Sequence, residues 1–297
     1  QLPYAESRPL AIEDVTLDPP GKGEVRVRIA AAGLCHSDLS VINGDRPRPL
    51  PMALGHEAAG VVEALGPDVD DLSIGDHVVM VFMPSCGYCL PCAEGRPALC
   101  GPGSVANGAG TLLSGATRLY DGTTALHHHL GCSAFASHAV VSRRSLVKVD
   151  RNLPLPEAAL FGCAVLTGVG AVVNTANVRA GQSVAVVGLG GVGLAAVLGA
   201  LAAGAAQVIA VDLMEEKLTL AADLGATATV QAGTDAAGRV RSLTSGGCDG
   251  VLEMAGSIRA LESAVAMTRR GGITVTAGLP PPDAVLPVNV VSLVGEE

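Results

Sequence analysis

Between Glu24 and Ala30, Val25, Val27 and Ile29 alternate with Arg26 and Arg28, the two-residue period of a strand with one face in a core. Short apolar segments at Ala58–Leu65, His77–Phe82, Ala139–Val141 and Leu146–Val149, parted by Gly- and Pro-rich turns, predict further strands. That spacing points to a small barrel or sandwich. From Leu166 the pattern changes to helix alternating with apolar strand. Helices are predicted over Glu215–Leu224 and Ser257–Arg269, and strands over Ala228–Val230, Gly250–Met254 and Ile273–Ala277. The expected fold class is α/β, a β-rich first half with irregular loops followed by a doubly wound parallel sheet.

The clearest unit of the second half is Ser183–Asp212. It opens and closes on the apolar runs Val184–Val187 and Val208–Val211, which read as strands buried on both faces. An Ala/Leu-rich helix of roughly twelve residues joins them, long enough for a right-handed crossover. Gly188, Gly190 and Gly193 fall at the turn, where side chains would block the backbone's approach to a pyrophosphate and crowd helix against strand. The free N–H groups at the helix start favour an anion. Asp212 ends the second strand, where a carboxylate accepts hydrogen bonds from an adenosine ribose and repels a 2′-phosphate. The expected coenzyme is therefore NAD.

Composition sets the bounds. The 297 residues suffice for two domains, and 49% hydrophobic content supports their cores. A net charge of −9 argues against a nucleic-acid surface, and nothing resembles a membrane span. With 2% aromatic residues and no Trp, packing falls to Val, Leu and Ala. The chain opens at Gln1 without Met, and its first residues read as the approach to a second strand, so a native start upstream is expected.

Eight cysteines carry the remaining chemistry. Cys86, Cys89, Cys92 and Cys100 lie in one loop with Gly87, Pro91, Gly95 and Pro97, and four thiolates so close in sequence can close around a tetrahedral Zn²⁺ as a structural site. The rivals are two disulfides, which require an oxidising compartment and strained loops, and a ferredoxin-type cluster. Cys35 and His56 sit just past strand ends, and Cys163 lies where the β-rich half gives way to the second pattern. Two thiolates and one imidazole are the ligand set of a zinc with an open fourth position. Singly, each reads as an ordinary buried residue; only the combination points to metal. Cys132 and Cys248 are expected to be small buried residues. The adjacent His127, His128 and His129 cannot all face one metal and are read as loop.

The stretches Gly33-Leu-Cys-His-Ser-Asp-Leu, Gly55-His-Glu-Ala-Ala-Gly-Val-Val, the four-cysteine loop, Gly162-Cys-Ala-Val-Leu-Thr-Gly, Gly188-Leu-Gly-Gly-Val-Gly and Val211-Asp, in this order, together resemble the zinc-dependent medium-chain alcohol dehydrogenases. The resemblance implies a GroES-like catalytic domain over residues 1–164, a Rossmann coenzyme domain over 165–297 and a cleft between them. It implies NAD and two zinc ions per chain, a catalytic one on Cys35, His56 and Cys163 and a structural one on the loop cysteines. Glu57 would be an acid beside the catalytic zinc, Asp38 the carboxylate that orients His56, and Ser37 the hydroxyl that takes the alcohol's proton. His36 would lie at the pyrophosphate, Lys217 at the ribose, Thr167 and Val192 (beside Gly191) at the nicotinamide, and Phe82 in the substrate pocket.

The sequence also departs from the family pattern. The residue five after the first cysteine ligand, often a relay histidine, is Ser40, which cannot act as a base near neutral pH. Gly101–Val140 resembles the long connection of the animal and formaldehyde-type branches. The family's return to the catalytic domain after the coenzyme domain is absent, and Val285–Val294 resembles the strand with which family dimers pair. The expected protein is a cytoplasmic homodimer or homotetramer oxidising a small alcohol with NAD. Alternatives are oxidation of an S-hydroxymethyl-thiol adduct of formaldehyde, and a non-catalytic NAD- and zinc-binding protein or truncated relic.

Overall fold

The computed structural model describes residues 10–296, so the expected strand approach at Gln1–Pro9 lies outside the described residues. The chain divides into two compact units, residues 1–163 and 164–297.

The first unit is built on β1 (Thr16–Leu17), β2 (Glu24–Ala32), β3 (Met52–Ala53), β4 (Ala58–Leu65), β5 (His77–Met80), β6 (Leu119–Asp121), β7 (Thr124–His128), β8 (His138–Ser142) and β9 (Leu146–Val149). Five of them form a sheet in the order β8-β2-β4-β5-β9, and four form a second, β1-β6-β7-β3. The alternation along β2 does what its pattern demands. Val25 and Val27 are fully buried among Ala58, Val62, Val78, Met80, Ala139 and Val141. Arg26 and Arg28 turn outward, 3.7 and 3.2 Å from Glu63 on β4. Each valine buried this way stabilises the sheet by about 1.5–3 kcal/mol.

The stretch 101–140 is more ordered than its sequence suggested. It holds a helix, Gly101–Ala109, and the β6–β7 hairpin, and Glu24 ties it down. Buried at 2% exposure, Glu24 accepts from Arg118 Nε at 2.8 Å and Ser114 Oγ at 2.7 Å. The reading of His127–His129 as loop fails for His127 and His128 and holds for His129, which lies in the bend after β7. His127 and His128 lie on β7, paired with Met52 and Ala53 of β3, and His128 and His129 are buried. The strand ladder with β3 and the backbone bonds of the following bend carry these residues from the exposed start of β7 into the interior, where a solvated loop would leave them exposed.

In the second unit, β10 (Ser183–Val187), β11 (Gln207–Asp212), β12 (Ala228–Gln231), β13 (Cys248–Glu253) and β14 (Thr268–Thr276) pair in parallel, in the order β12-β11-β10-β13-β14. The central strand explains its own apolar run. Val184 and Val186 pack on one face with Ala196, Val197 and Ala200 of the helix Gly191–Ala202. Ala185 and Val187 pack on the other with Val240, Ala264 and Met267 of the helices Ala236–Leu243 and Ile258–Met267. A sheet covered on both faces is the doubly wound architecture, with a switch point beyond β10.

One expected strand is not formed. Within Val285–Val294 the structure has a helix, Val290–Glu296. Asn289 Oδ1 accepts the Val291 N–H at 2.9 Å, an asparagine cap that starts the helix. Among the described residues no strand pairs with this segment, and apolar residues without a pairing edge close hydrogen bonds locally instead.

Candidate functional site

In the first unit the helix His36–Asn43 organises the site. It starts because Asp38, at its third position, accepts the Cys35 N–H at 3.3 Å while the Asp38 N–H bonds back to the Cys35 carbonyl at 3.1 Å. It stops at Gly44, whose φ of +78° a side chain would resist. The Cys35-to-Asp38 spacing and Gly44 were the sequence signals for this helix, and periodicity alone missed them.

Cys35 Sγ lies 3.8 Å from Cys163 Sγ, and a ligating atom of His56 falls within 4.8 Å of both. Two sulfurs bonded to one tetrahedral zinc at about 2.3 Å stand about 3.8 Å apart, so the donor set fits that ion. His56 donates its Nδ1–H to Asp38 Oδ1 at 3.2 Å, which leaves Nε2 as the ligating nitrogen. The neighbouring Cys163 sulfur, against burial and aided by His56, holds the Cys35 thiol down at about 3. Burial pulls the His56 imidazole down, but Asp38 and then Cys35 outweigh it and raise it to about 9. Burial opposes ionisation of Asp38 too, yet the His129 and His56 rings hold it well below the usual carboxylate range. This pocket thus favours positive charge among negative donors.

Glu57 is 2% exposed, and its carboxylate fits because Gly33 has no side chain; a Cβ there would sit 2.6 Å from Oε2. His36 is exposed and Ser37 partly buried on the first turn of the same helix. Ser40, on the next turn, is buried and donates its hydroxyl to the His36 carbonyl at 3.0 Å, so that hydroxyl is already spent. Phe82 is partly buried and meets the His56 ring edge-on, centroids 6.0 Å apart. Sequence reasoning set His129 aside. Its Nδ1 lies 3.0 Å from Asp38 Oδ1, and no local pattern announced that contact.

Cys86, Cys89, Cys92 and Cys100 converge as a second cluster, all four sulfurs within 4.8 Å of one another. The Cys89–Cys92 and Cys89–Cys100 separations are 3.5 and 3.9 Å, near tetrahedral zinc spacing and far from a disulfide bond of about 2.05 Å. Local structure aims them inward. Cys89 begins the turn Leu90–Ala93, and Cys100 caps Gly101–Ala109, its Sγ accepting the N–H groups of Gly103 at 3.4 Å and Cys86 at 3.2 Å. The Tyr88 and Cys89 N–H groups outweigh desolvation and bring the Cys86 thiol down to about 6. Cys92 is helped by the Gly87 N–H, but desolvation and its sulfur neighbours push it up to about 11. Four thiolates so placed repel one another, and a divalent cation relieves that repulsion. Cys132 and Cys248 stand apart, fully buried.

In the second unit the glycine turn follows β10. Gly188 has φ +93°, and a Cβ there would lie 2.7 Å from Ala255. A Cβ on Gly193 would collide with the Gly188 carbonyl, whereas one on Gly190 would meet nothing within 4 Å. That open space at the start of the helix Gly191–Ala202 is a cradle of the kind a pyrophosphate fits. Asp212 Oδ2 accepts the Leu189 N–H at 2.7 Å and Oδ1 the Met214 N–H at 3.0 Å, with Lys217 Nζ at 3.9 Å. Thr167 lies on the helix Ala164–Gly170, which meets the helix of Val192 closely at Gly168.

Two family models match the chain: alcohol dehydrogenase GroES-like domain over residues 21–151, and zinc-binding dehydrogenase over residues 191–296. The S-(hydroxymethyl)glutathione dehydrogenase of Candida maltosa is 37% identical over 283 residues, a match that covers 93% of this chain and 74% of the relative. Among solved structures, an alcohol dehydrogenase zinc-binding domain protein from Burkholderia ambifaria superposes with a TM-score of 0.92 at 39% identity, covering 96% of this chain and 78% of its own. Benzyl alcohol dehydrogenase from Acinetobacter calcoaceticus gives 0.89 at 34%, covering 95% and 77%. The chain thus spans about three quarters of the length of these relatives.

Proposed function

Because the chain belongs to the zinc-dependent medium-chain alcohol dehydrogenase family, we propose that it oxidises a small alcohol to an aldehyde or ketone with NAD as hydride acceptor. The observation that carries this reading is the convergence of Cys35, His56 and Cys163, distant in sequence, on one point with zinc-like spacing. Zinc on those donors supplies Lewis acidity toward the substrate oxygen. Cys86, Cys89, Cys92 and Cys100 hold a second, structural zinc.

The chain's own groups do the rest. Asp38 fixes the His56 tautomer, and Glu57 adds a buried carboxylate beside the Cys35 turn. Ser37 accepts the alcohol's proton, which then leaves by a route other than Ser40, since that hydroxyl is committed to the His36 carbonyl. Phe82 offers an apolar wall beside His56. On the second unit, Gly188, Gly190, Gly191 and Gly193 admit the pyrophosphate, and His36 is the residue that the family pattern assigns to the same group. Asp212 and Lys217 receive the ribose, and Thr167 and Val192 flank the nicotinamide. The relative from Candida maltosa supports a second reading, in which the alcohol is an S-hydroxymethyl-thiol. A homodimer or homotetramer in the cytoplasm belongs to the same proposal; sedimentation checks the assembly.

The decisive experiment is metal analysis with Cys163→Ser. The parent chain should hold about two zinc ions and turn over primary or secondary alcohols with NAD. The variant should keep one zinc and bind NAD but lose turnover. A parent with one zinc, or a variant that turns over normally, refutes the zinc reading. Formaldehyde assayed with and without a low-molecular-weight thiol separates the two substrate classes.

A further inference from the structure

The zinc reading leaves His129 unused, although it is 1% exposed and sits against the site. Its Nδ1 is 3.0 Å from Asp38 Oδ1, a close polar contact too oblique for a regular hydrogen bond. Its ring meets His56 edge-on, centroids 5.3 Å apart at 90°. The same Oδ1 accepts from the Gly55 N–H at 3.1 Å and from His56 at 3.2 Å, and Oδ2 accepts from the Cys35 N–H at 3.3 Å. One buried carboxylate therefore joins the segments that carry two ligands, and His129 is its fourth strut.

The backbone around His129 braces the same place. The His129 N–H donates to the Ala53 carbonyl at 3.2 Å and to Ser133 Oγ at 3.1 Å. Ala134 and Phe135 donate to the carbonyls of Gly55 and Leu54 at 2.9 and 3.0 Å. Residues 129–135 thus run along the segment that ends in His56. The Gly55 and Cys35 N–H groups hold the carboxylate from the backbone side, and the His129 ring packs against it from a further direction, limiting the rotation that would take the His56 ring with it, as the outer partners of metal-site histidines do.

We propose that His129 is a positioning residue for the catalytic zinc, anchoring Asp38 and through it the His56 ring and the Cys35 turn in their ligating arrangement. The inference rests on the zinc reading above. Three variants of the full chain test it. His129→Asn can place an amide N–H where Nδ1 stands, His129→Gln places one farther out, and His129→Phe keeps a ring without donors. Zinc loss to a competing chelator and the absorption spectrum of the Co²⁺-substituted protein are read for each, with thermal melting to establish folding.

The Gln and Phe variants should release one zinc about 10–100-fold more readily and shift the cobalt bands, with the four-cysteine zinc retained. The Asn variant should stay close to the parent. Folded Gln and Phe variants with parental zinc retention and spectrum overturn the proposal, as does an Asn variant as impaired as Gln. If neither Gln nor Phe folds, the Nδ1–H resonance of His129 in the zinc-loaded parent decides: a proton protected from exchange supports the contact, and a freely exchanging one overturns it. A parent chain holding a single zinc would instead sink the zinc reading itself.

Discussion

Gly190 and Gly193 lie three residues apart on one turn, and the structure assigns them opposite reasons for lacking a side chain. A Cβ on Gly193 would fall inside van der Waals contact with the Gly188 carbonyl, closer than the 3.0 Å that real Cβ atoms respect. The obstacle is backbone, so Gly193→Ala must lever the helix Gly191–Ala202 away from β10 and loosen a core that includes Val186, Ala196 and Val197. Overpacking of this kind costs about 1–3 kcal/mol. At about 4 °C per kcal/mol, the melting midpoint of the second unit should fall by roughly 4–12 °C. Gly190→Ala meets nothing within 4 Å, and its φ of −77° suits any residue, so the midpoint should stay within about 2 °C. The new methyl fills the space reserved for the pyrophosphate, so NAD affinity should drop at least tenfold, about 1.4 kcal/mol. Calorimetric melting without coenzyme and titration of NAD by protein fluorescence, through the three tyrosines, read the two effects separately. A Gly190→Ala chain that binds NAD like the parent would refute the reasoning, as would equal melting losses in the two variants.

Three further outcomes are expected. Cys89→Ser should release the zinc of the four-cysteine loop and lower the first unit's melting midpoint while Cys35, His56 and Cys163 keep theirs; metal analysis showing both ions retained would contradict the cluster. Burial, only partly opposed by Glu24, holds the His128 imidazole down at about 4, so the native state binds fewer protons than the unfolded chain between pH 6.5 and 4. Stability should fall with pH through that window by up to about 3 kcal/mol, and His128→Gln should flatten the fall; parallel profiles would refute it. Glu24→Gln keeps the shape but removes the charge facing Arg118, and should cost about 1.5–3 kcal/mol in urea unfolding, against no change if the ion pair contributes nothing.

Strands with a periodic or fully apolar pattern were legible in the sequence. Ala58–Leu65 and Leu146–Val149 occupy their expected ranges, and the helix Gly191–Ala202 lies between its two strands as the turn and Ala-rich run required. Elements specified by caps rather than periodicity were not legible. The helix His36–Asn43 depends on Asp38 and Gly44, Gly101–Ala109 on a cysteine cap, and Val290–Glu296 on Asn289. A cap is one residue whose meaning depends on its neighbours' backbone, so a pattern search passes over it.

By itself, the sequence determined what a few neighbouring residues can settle: burial on both faces of β10, the glycine turn, and the nearness of four cysteines in one loop. Only the tertiary structure decided that Cys35, His56 and Cys163 meet and that His129 leans on Asp38. The reason is physical. Propensity and periodicity act over a turn or a strand, whereas these contacts join segments dozens of residues apart, and their geometry is set by the packing of the sheets that carry them.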